Sequence, residues 1–316
     1  MIYVFLNRIL QVVVIALVVA TLTFLVTWFG PGDIATQVAI ARYDLDRVTP
    51  EVVRDIRAQE GLERSGLYQF GTWLGRTITL DLGNSLVTGQ GVGATIAYHF
   101  SYTLKLALAA MGISLAMALP LGIAGGSRPH SRLNQSLQII SSLLVSVPPY
   151  VLAMLLILLF SIYLMILPVA GFTRPEHIIL PALTLGLGLF AMSNRLIASS
   201  VNTVRNSGYY LFARTKGLPG YQVLIRHGLK NASAPVLTFL GLQFAFLLDG
   251  VVIVESIFAW PGIGHLLLES IMARDIPVIQ GVAMLIGVIY VSINTLVDLI
   301  LLRLDPASAQ QTTDRT

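Results

Sequence analysis

Six long apolar runs divide this chain, and each is long enough to cross a lipid bilayer. They lie near residues 9–29, 101–125, 136–166, 178–200, 234–256 and 280–302. A transmembrane helix needs about 20 apolar residues, and inside a bilayer only helices or closed barrels satisfy every backbone polar group. Charged residues make up 11% of the sequence, against roughly 25% in ordinary soluble domains. The sequence therefore predicts an all-α membrane protein with six spans, forming a single domain over residues 1–316.

Two of these runs have features that refine the prediction. The first run is too long for a secretory signal and lacks a small-residue cleavage site, so we expect it to be retained as a span. The third run contains Pro148-Pro149, and an internal proline removes a backbone hydrogen bond and clashes with the preceding turn. The sequence therefore predicts a kink or a break in the third span.

The charges between the runs predict the orientation of the chain. With six spans, both termini lie on one side, which holds eleven basic residues and two acids, whereas the other side holds eight basic and eleven acidic residues. The loops of the first side are 126–135 and 195–232, and those of the second are 30–100, 167–177 and 257–279. The basic residues of the first side are Arg8, Arg128, Arg132, Arg195, Arg205, Arg214, Lys216, Arg226, Lys230, Arg303 and Arg315. Basic residues close to spans stay in the cytoplasm, so both termini are expected there.

The loop 30–100 is long enough to hold helices of its own. Thr49-Pro50-Glu51 has the features of a helix start, with a capping threonine, a first-turn proline and an early acid, and it predicts a short helix up to Gly61. Beyond it, apolar residues recur at helical spacing, at Leu67, Phe70, Trp73, Leu74 and Ile78. This spacing predicts an amphipathic helix suited to a membrane surface. Its side chains either pack as a cap on the spans or contact substrate.

Several kinds of catalytic chemistry have no basis in this sequence. The chain has no cysteine, which excludes disulfides, thiolate metal sites and cysteine nucleophiles. It contains no GxxxxGK(S/T) phosphate loop, no HExxH motif and no Gly-x-Ser-x-Gly elbow. The five histidines are scattered: His99, His130, His177, His227 and His265. We therefore expect no catalytic residue, metal or cofactor in this chain. The net charge of +4 is distributed as membrane orientation requires, so no nucleic-acid partner is expected.

A polar, basic segment, residues 209–235, separates the fourth and fifth runs. Its first part, 209–216, favours a helix, and Gly217-Leu218-Pro219-Gly220 stops that helix. A second helix-forming run, 221–230, leads to the next apolar run at Pro235. The segment therefore predicts two short helices joined by a tight Gly/Pro corner that faces the aqueous side.

This segment resembles the cytoplasmic EAA loop of the permeases of binding-protein-dependent ABC importers, in particular the dipeptide, oligopeptide and nickel permeases (the DppB/OppB type). The residues that match the loop are Tyr209, Ala213-Arg214-Thr215-Lys216-Gly217-Leu218, Val223, His227-Gly228-Leu229-Lys230-Asn231-Ala232 and Pro235. Further matches follow the family's order along the chain: Pro31-Gly32-Asp33, Asp81-Leu82-Gly83-Asn84-Ser85, 179–186, 255–264, 274–280 and Leu304-Asp305-Pro306. The resemblance covers almost the whole chain.

The resemblance implies a six-helix, MetI-like permease fold in a bacterial inner membrane, within an importer whose separate subunits hydrolyse ATP. The implied partners are a second homologous permease, two ABC ATPases that hold ATP and Mg²⁺, an extracytoplasmic substrate-binding protein and membrane lipid. The loop 201–233 is then expected to dock on an ATPase and transmit its motion. The residues implied in this coupling are Tyr209, Ala213, Arg214, Lys216, Gly217, Leu218, Pro219, Arg226, His227 and Asn231. A basic loop that only fixes orientation in the membrane is the alternative, although it leaves the corner unexplained.

Some positions depart from the family's pattern. Leu211 and Phe212 stand where the EAA loop has its acid and its first alanine, and Asp249 stands where small residues are usual. A carboxylate deep in a span costs about 2.5–3.5 kcal/mol on insertion scales. Asp249 is therefore expected to face a polar cavity or a basic residue of the partner permease.

The resemblance also supplies candidates for the substrate pathway and for its outer end. The pathway candidates are Asp249, Glu255, Pro148, Pro149 and Asp298. For Glu255 and Asp298, hydrogen bonding between helices is the alternative to substrate contact. The turn Trp260-Pro261-Gly262 is interpreted either as an outer gate or binding-protein docking site, or as aromatic anchoring at the membrane interface.

Two rival classes remain beside the importer. An ion-driven carrier would use Asp249, Glu255 and Asp298 as a proton relay, but such carriers usually show internal repeats, and this sequence has none. A membrane scaffold would leave the buried Asp249 unexplained. Short peptides are the expected cargo, with nickel chelates, glutathione or another small solute as alternatives. Uptake that requires ATP but survives loss of the proton gradient would separate the importer from the carrier.

Overall fold

The computed structural model describes residues 10–11, 13–14, 17–19, 21–22, 24–25, 32–43, 45–78 and 81–304. The side chains of residues 45, 73, 76–78, 226–227, 229–234, 245–246, 248–250, 298 and 301–304 lie outside this description. Within the described ranges the chain is helical, and its extended pairing is limited to an isolated antiparallel bridge between Asn84 and Gly91. This result confirms the predicted all-α class.

Beyond short helical pieces between residues 10 and 25, the helices are α1 (Ile34–Tyr43), α2 (Pro50–Gln59), α3 (Gly66–Ile78), α4 (Val92–Ser127), α5 (Arg132–Ser146), α6 (Pro149–Leu156), α7 (Ile179–Arg205), α8 (Gly208–Thr215), α9 (Gly220–Val223), α10 (Leu229–Ile257), α11 (Ile263–Ala273) and α12 (Ile276–Leu304). Leu45–Arg47 and Pro175–Ile178 form 3-10 turns, whereas Ile157–Tyr163 and Leu224–Gly228 form π-helical turns. The chain divides into two compact units, Met1–Thr103 with Pro261–Val291 and Leu104–Trp260 with Ser292–Thr316.

Three of the described helices are long and apolar enough to cross a membrane: Val92–Ser127, Pro175–Arg205 and Ile276–Val297. α5 and the helical stretch that follows it count as a fourth if they are taken as one broken span. About half of the first predicted run lies outside the described residues. The fifth lies in α10, whose described apolar part, Pro235–Phe244, is shorter. The number of six spans stays a prediction.

Two adjacent prolines produce the break between α5 and α6. A residue that precedes proline is pushed out of the helical conformation, and both Val147 and Pro148 precede one. Their ψ angles, 121° and 145°, are extended. Pro149 then occupies the first turn of α6, where its missing N–H costs no helical hydrogen bond. The helices on the two sides are bent by 105°, which confirms the predicted break.

The first unit contains the helices of the loop 30–100. The Thr49 hydroxyl accepts a hydrogen bond from the Val52 amide at 3.4 Å, so the predicted cap of α2 is confirmed. The helix predicted around Phe70 is α3. Buried side chains of α1 and α2 form one cluster: Ala35, Val38, Ala39 and Ile56. A second cluster joins α4, α11 and α12: Val92, Ile96, Ile263, Leu266, Val278 and Val282.

A buried carboxylate fixes the segment between α3 and α4. Asp275 is 4% exposed; it accepts hydrogen bonds from the Ser85 hydroxyl and, at 3.0 Å, from the Leu86 amide. The Leu86 carbonyl also accepts a hydrogen bond from the guanidinium of Arg42, which pairs with Glu60 at 2.6 Å. These contacts connect the start of α12 with α1 and with the end of α2. The segment is therefore held from both sides.

α7 is the central helix of the second unit, and it packs against α5, α6 and α10. Two polar contacts cross these helix faces. The Ser193 hydroxyl donates to Gln243 Oε1 at 2.6 Å, and Asn194 Nδ2 donates to Ser141 Oγ at 3.2 Å. All four side chains are buried. Because lipid offers no partner to such groups, these hydrogen bonds favour one pairing of the helices.

α4 approaches α7 closely through two glycines that are one turn apart. A Cβ at Gly126 would lie 2.3 Å from the carbonyl oxygen of Ala198, and one at Gly122 would lie 2.9 Å from the side chain of Ile197. Neither position therefore has room for a larger residue. Small residues four positions apart are what allows the backbones of membrane helices to come this close.

Candidate functional site

The corner predicted at residues 217–220 is present between α8 and α9. α8 ends at Thr215, and the Gly217 amide donates to the Arg214 carbonyl at 3.0 Å. Gly217 has a φ of +86°, a left-handed conformation that glycine adopts without a steric penalty. Pro219 is extended and precedes the first turn of α9. The stop signal read from the sequence is therefore confirmed at the expected residues.

The corner is held together by its own side chains. Tyr210 is 5% exposed and packs with Val204 and Val223. Its hydroxyl donates to the Gly220 carbonyl at 3.2 Å, across the corner from α8 to α9. The guanidinium of Arg214 donates to the Leu218 carbonyl at 3.0 Å. Arg214 thus stabilises the corner from within, a role that the sequence did not indicate.

The outer surface of the corner is rich in apolar side chains, beside exposed polar residues such as Arg214 and Lys216. Its exposed large apolar side chains are Tyr209, Leu211, Phe212, Leu218, Tyr221 and Ile225, and the most exposed of them is Tyr221 at 65%. The ammonium of Lys216 lies 4.6 Å from the centre of the Phe212 ring, so its charge sits beside this surface. Leu211 and Phe212 occupy the two positions that depart from the EAA pattern, and both add apolar area where that pattern has an acid and an alanine.

The second half of the corner differs from the sequence prediction. The sequence predicts a short helix over 221–230, but α9 passes through the π turn Leu224–Gly228 directly into α10. The reason is that no residue stops the helix there, since Gly228 keeps helical angles (φ −72°, ψ −52°). Pro235 lies inside α10. The corner is therefore joined to a long helix rather than to a second short one.

The structure places the pathway candidates in different elements. Glu255 is fully buried in the last turn of α10, and Pro148 and Pro149 form the break before α6. The remaining candidates lie outside the described side chains: Asp249 and Asp298 of the pathway, and Arg226, His227 and Asn231 of the coupling set. Their roles stay predictions.

The predicted outer turn follows the end of α10. Ala259 closes the helix with a φ of +49°, and the Trp260 amide donates to the Glu255 carbonyl at 2.8 Å. Trp260 is 5% exposed, and Pro261 and Gly262 are also buried. α11 begins directly after Gly262. The part this turn plays as a gate or docking site stays a prediction.

The loop predicted at 195–232 begins later than the sequence indicated. Arg195 is predicted at the beginning of this loop, whereas α7 continues to Arg205. The sequence is compatible with this continuation of the helix, because no glycine or proline lies between Arg195 and Arg205. Polar residues at Ser199 and Asn202 follow Arg195 at spacings of four and seven, which puts all three on one helix face.

Comparison with known proteins gives one family match and many relatives. Residues 118–310 match the family described as "Binding-protein-dependent transport system inner membrane component". A putative peptide transport system permease protein of Brucella suis biovar 1 (strain 1330) is 37% identical over 309 residues, which cover 95% of this chain and 97% of that protein. The glutathione transport system permease protein GsiC of Salmonella paratyphi A is 36% identical over 305 residues, covering 96% and 97%.

A solved structure shares the fold. A chain of the MetNI methionine ABC transporter, from a study of its inward-facing conformations, aligns with a TM-score of 0.57 at 15% sequence identity. The alignment covers 66% of this chain and 96% of that chain. At this level of identity the likeness concerns the fold alone.

Proposed function

This chain belongs to the family of inner-membrane components of binding-protein-dependent transport systems, and from that premise we propose that it pairs with a second permease to form the pathway for short peptides. As a family member it is a multi-pass inner-membrane permease of an ABC importer, and ATP is hydrolysed by a separate subunit. In the proposed assembly, two ATPases dock from the cytoplasm and a soluble binding protein delivers cargo from outside. Both termini are cytoplasmic.

The observation that supports this proposal most directly is the geometry of the corner. A surface that transmits the motion of a neighbour must be stiff and must offer contact area. The Tyr210 hydrogen bond and the buried packing with Val223 supply the stiffness. The exposed apolar side chains around Phe212 supply an area suited to association. A basic loop that only orients the chain in the membrane would need neither property.

The direction of transmission follows from the connection to α10. α9, the π turn and α10 run without an intervening loop from Gly220 to Ile257. A displacement of the corner is thus passed along a helix that ends beside Glu255 and the Trp260 turn. The interaction at the corner and the opening of the pathway are coupled in this proposal through one continuous helical element.

Short peptides are the proposed cargo because the relatives are named for peptide and glutathione transport. Nickel chelates or another small solute would use the same machinery. An ion-coupled carrier, the alternative from another class, would need its acids to relay protons. Among the described acids of that relay, Glu255 is fully buried, so its carboxyl group has no direct contact with water.

Crosslinking from a single cysteine tests the proposal, since the chain contains no cysteine of its own. A Leu218→Cys variant, assembled with its partner subunits and treated with a thiol–amine crosslinker, is expected to link to an ATP-hydrolysing subunit. Met165→Cys is the control, because that side chain is 83% exposed and lies two residues before the loop 167–177, which is predicted on the other side. Links from Met165 to the ATPase, or none from Leu218, would contradict the proposed docking.

A further inference from the structure

A polar cleft opens in the second unit, beside the ends of α4 and α7 and the start of α5. Its volume is about 280 Å³. Five polar side chains line it, Asn134, Gln138, Arg195, Ser199 and Asn202, and the rest of its wall is glycine, proline and alanine. None of the residues assigned to the coupling corner or to the substrate pathway belongs to this cleft.

The polar side chains come from two helix faces. Arg195, Ser199 and Asn202 share one face of α7, and Asn134 and Gln138, four residues apart, share one face of α5. The wall between them is fixed by the close contact of Gly126 with Ala198 described above. The packing of α4, α5 and α7 therefore forms the cleft and determines its shape.

Several of these groups have unused hydrogen-bonding capacity. Within the described part of the chain, the side chains of Gln138, Arg195 and Ser199 make no hydrogen bond or ion pair. Asn134 donates to the Pro129 carbonyl at 2.8 Å, but its own Oδ1 is buried and lacks a partner. A guanidinium presents five donors and always carries its charge, so Arg195 leaves a cationic site open to an anion.

The chemistry of the wall indicates which anion fits. Arginine pairs with a carboxylate through two parallel hydrogen bonds, and the amides of Asn134 and Gln138 match the N–H and C=O groups of a peptide bond. A lipid phosphate would bring acyl chains, which need apolar side chains beside the headgroup site. The apolar part of the wall consists of small residues such as Gly126 and Ala198, so the cleft lacks that surface.

We propose that this cleft binds the terminal carboxylate of the transported peptide, and that Arg195 determines the preference for a free carboxylate. The inference rests on the proposed function, because it assumes that cargo passes this end of the second unit. Since the cleft lies beside loop 126–135, it would hold the peptide at the cytoplasmic end of its passage.

Protection of a cysteine in the cleft tests the inference without relying on transport. A Ser199→Cys variant, in the complete complex in inside-out vesicles, would be labelled with a charged maleimide. Trialanine is expected to slow labelling, whereas trialanine amide, which lacks the carboxylate, is not. Adding Arg195→Gln should weaken the protection by trialanine by roughly tenfold or more, because a charge-assisted pair is lost.

Three results would overturn the inference. Equal protection by trialanine and its amide, or protection by neither, would show that the carboxylate is not recognised. A loss of protection in Arg132→Gln, which removes an exposed charge from the first turn of α5 outside the cleft, would indicate a general charge effect. Labelling that depends on the anionic lipid content of the vesicles and not on trialanine would assign the site to lipid.

Uptake measured in the same vesicles separates this inference from the proposed function. ATP-dependent uptake of trialanine without protection would contradict the cleft assignment alone. Carboxylate-dependent protection without any ATP-dependent uptake would contradict the proposed function and leave an anion site at Arg195.

Discussion

Gly217 is the residue on which the corner between α8 and α9 depends most directly. A Cβ at this position would meet no atom within 4 Å, so the requirement for glycine comes from its φ of +86° alone. A left-handed conformation costs other residues roughly 1–2 kcal/mol. We expect Gly217→Val to destabilise the corner by about that amount, measured as faster amide hydrogen exchange in α8 and α9, and to reduce ATP-dependent uptake.

Gly188→Ala is the matched control. Gly188 also has open space around it, but it lies inside α7 with helical angles, where alanine is favoured over glycine. We expect this variant to retain its exchange pattern and its uptake. Equal effects of the two substitutions would show that the left-handed angle is not what the corner requires.

Asp33 makes the first unit sensitive to acid. Partial burial raises the pKa of its carboxyl group, but hydrogen bonds from Thr36 and Arg57 outweigh that effect and hold the pKa below its ordinary value of 3.8. Because the folded state has the lower pKa, the stabilisation is complete above the ordinary value and is lost as the pH falls through the folded pKa. We therefore expect Asp33→Asn to lower the melting temperature near neutral pH but not in strong acid.

Asp46→Asn serves as the comparison for Asp33. Asp46 is an exposed acid of the same loop, and it makes no ion pair among the described residues. Its substitution is expected to leave the melting temperature unchanged at every pH. If Asp33→Asn lowered the melting temperature equally at every pH, the contribution of the Arg57 pair at 2.7 Å would not depend on the carboxylate charge.

Gly126 makes the tighter of the two glycine contacts between α4 and α7. A methyl group at Gly126 would overlap the backbone of Ala198, and backbone atoms yield less than side chains. Overpacking of this kind costs typically 1–3 kcal/mol. We expect Gly126→Ala to lower the stability of the purified chain by about that amount in thermal unfolding. Gly112→Ala in the same helix, with nothing within 4 Å, should be neutral or slightly stabilising.

The elements most predictable from sequence are those whose signals are local. Thr49-Pro50 fixes the start of α2, Pro148-Pro149 fixes the break before α6, and Gly217 fixes the corner, because each acts on the backbone within a few residues. Contacts between distant residues left no such signal. The hydrogen bond of Asp275 with Ser85 spans 190 positions, and the cleft at Arg195 appears only once α5 and α7 are packed together.

The orientation of the complete chain is open to a direct test in the cysteine-free background. Leu218→Cys is expected to react with a membrane-impermeant maleimide only when the cytoplasmic face is accessible, as in inside-out vesicles. Thr88→Cys, in the exposed turn before α4, is expected to react only in intact spheroplasts, because the loop 30–100 is predicted outside. Labelling of both positions from one side would refute the orientation drawn from the basic residues.

The π turn at Leu224–Gly228 alters how positions in α10 should be grouped. Its hydrogen bonds span one residue more than those of an α-helix, and each α-helical residue rotates the chain by about 100°. A helical wheel drawn from Tyr221 is therefore out of phase by about 100° beyond Gly228. A mutational scan of α10 phased from the corner would assign the wrong positions to the lipid-facing side, whereas a wheel that starts at Leu229 keeps the true register.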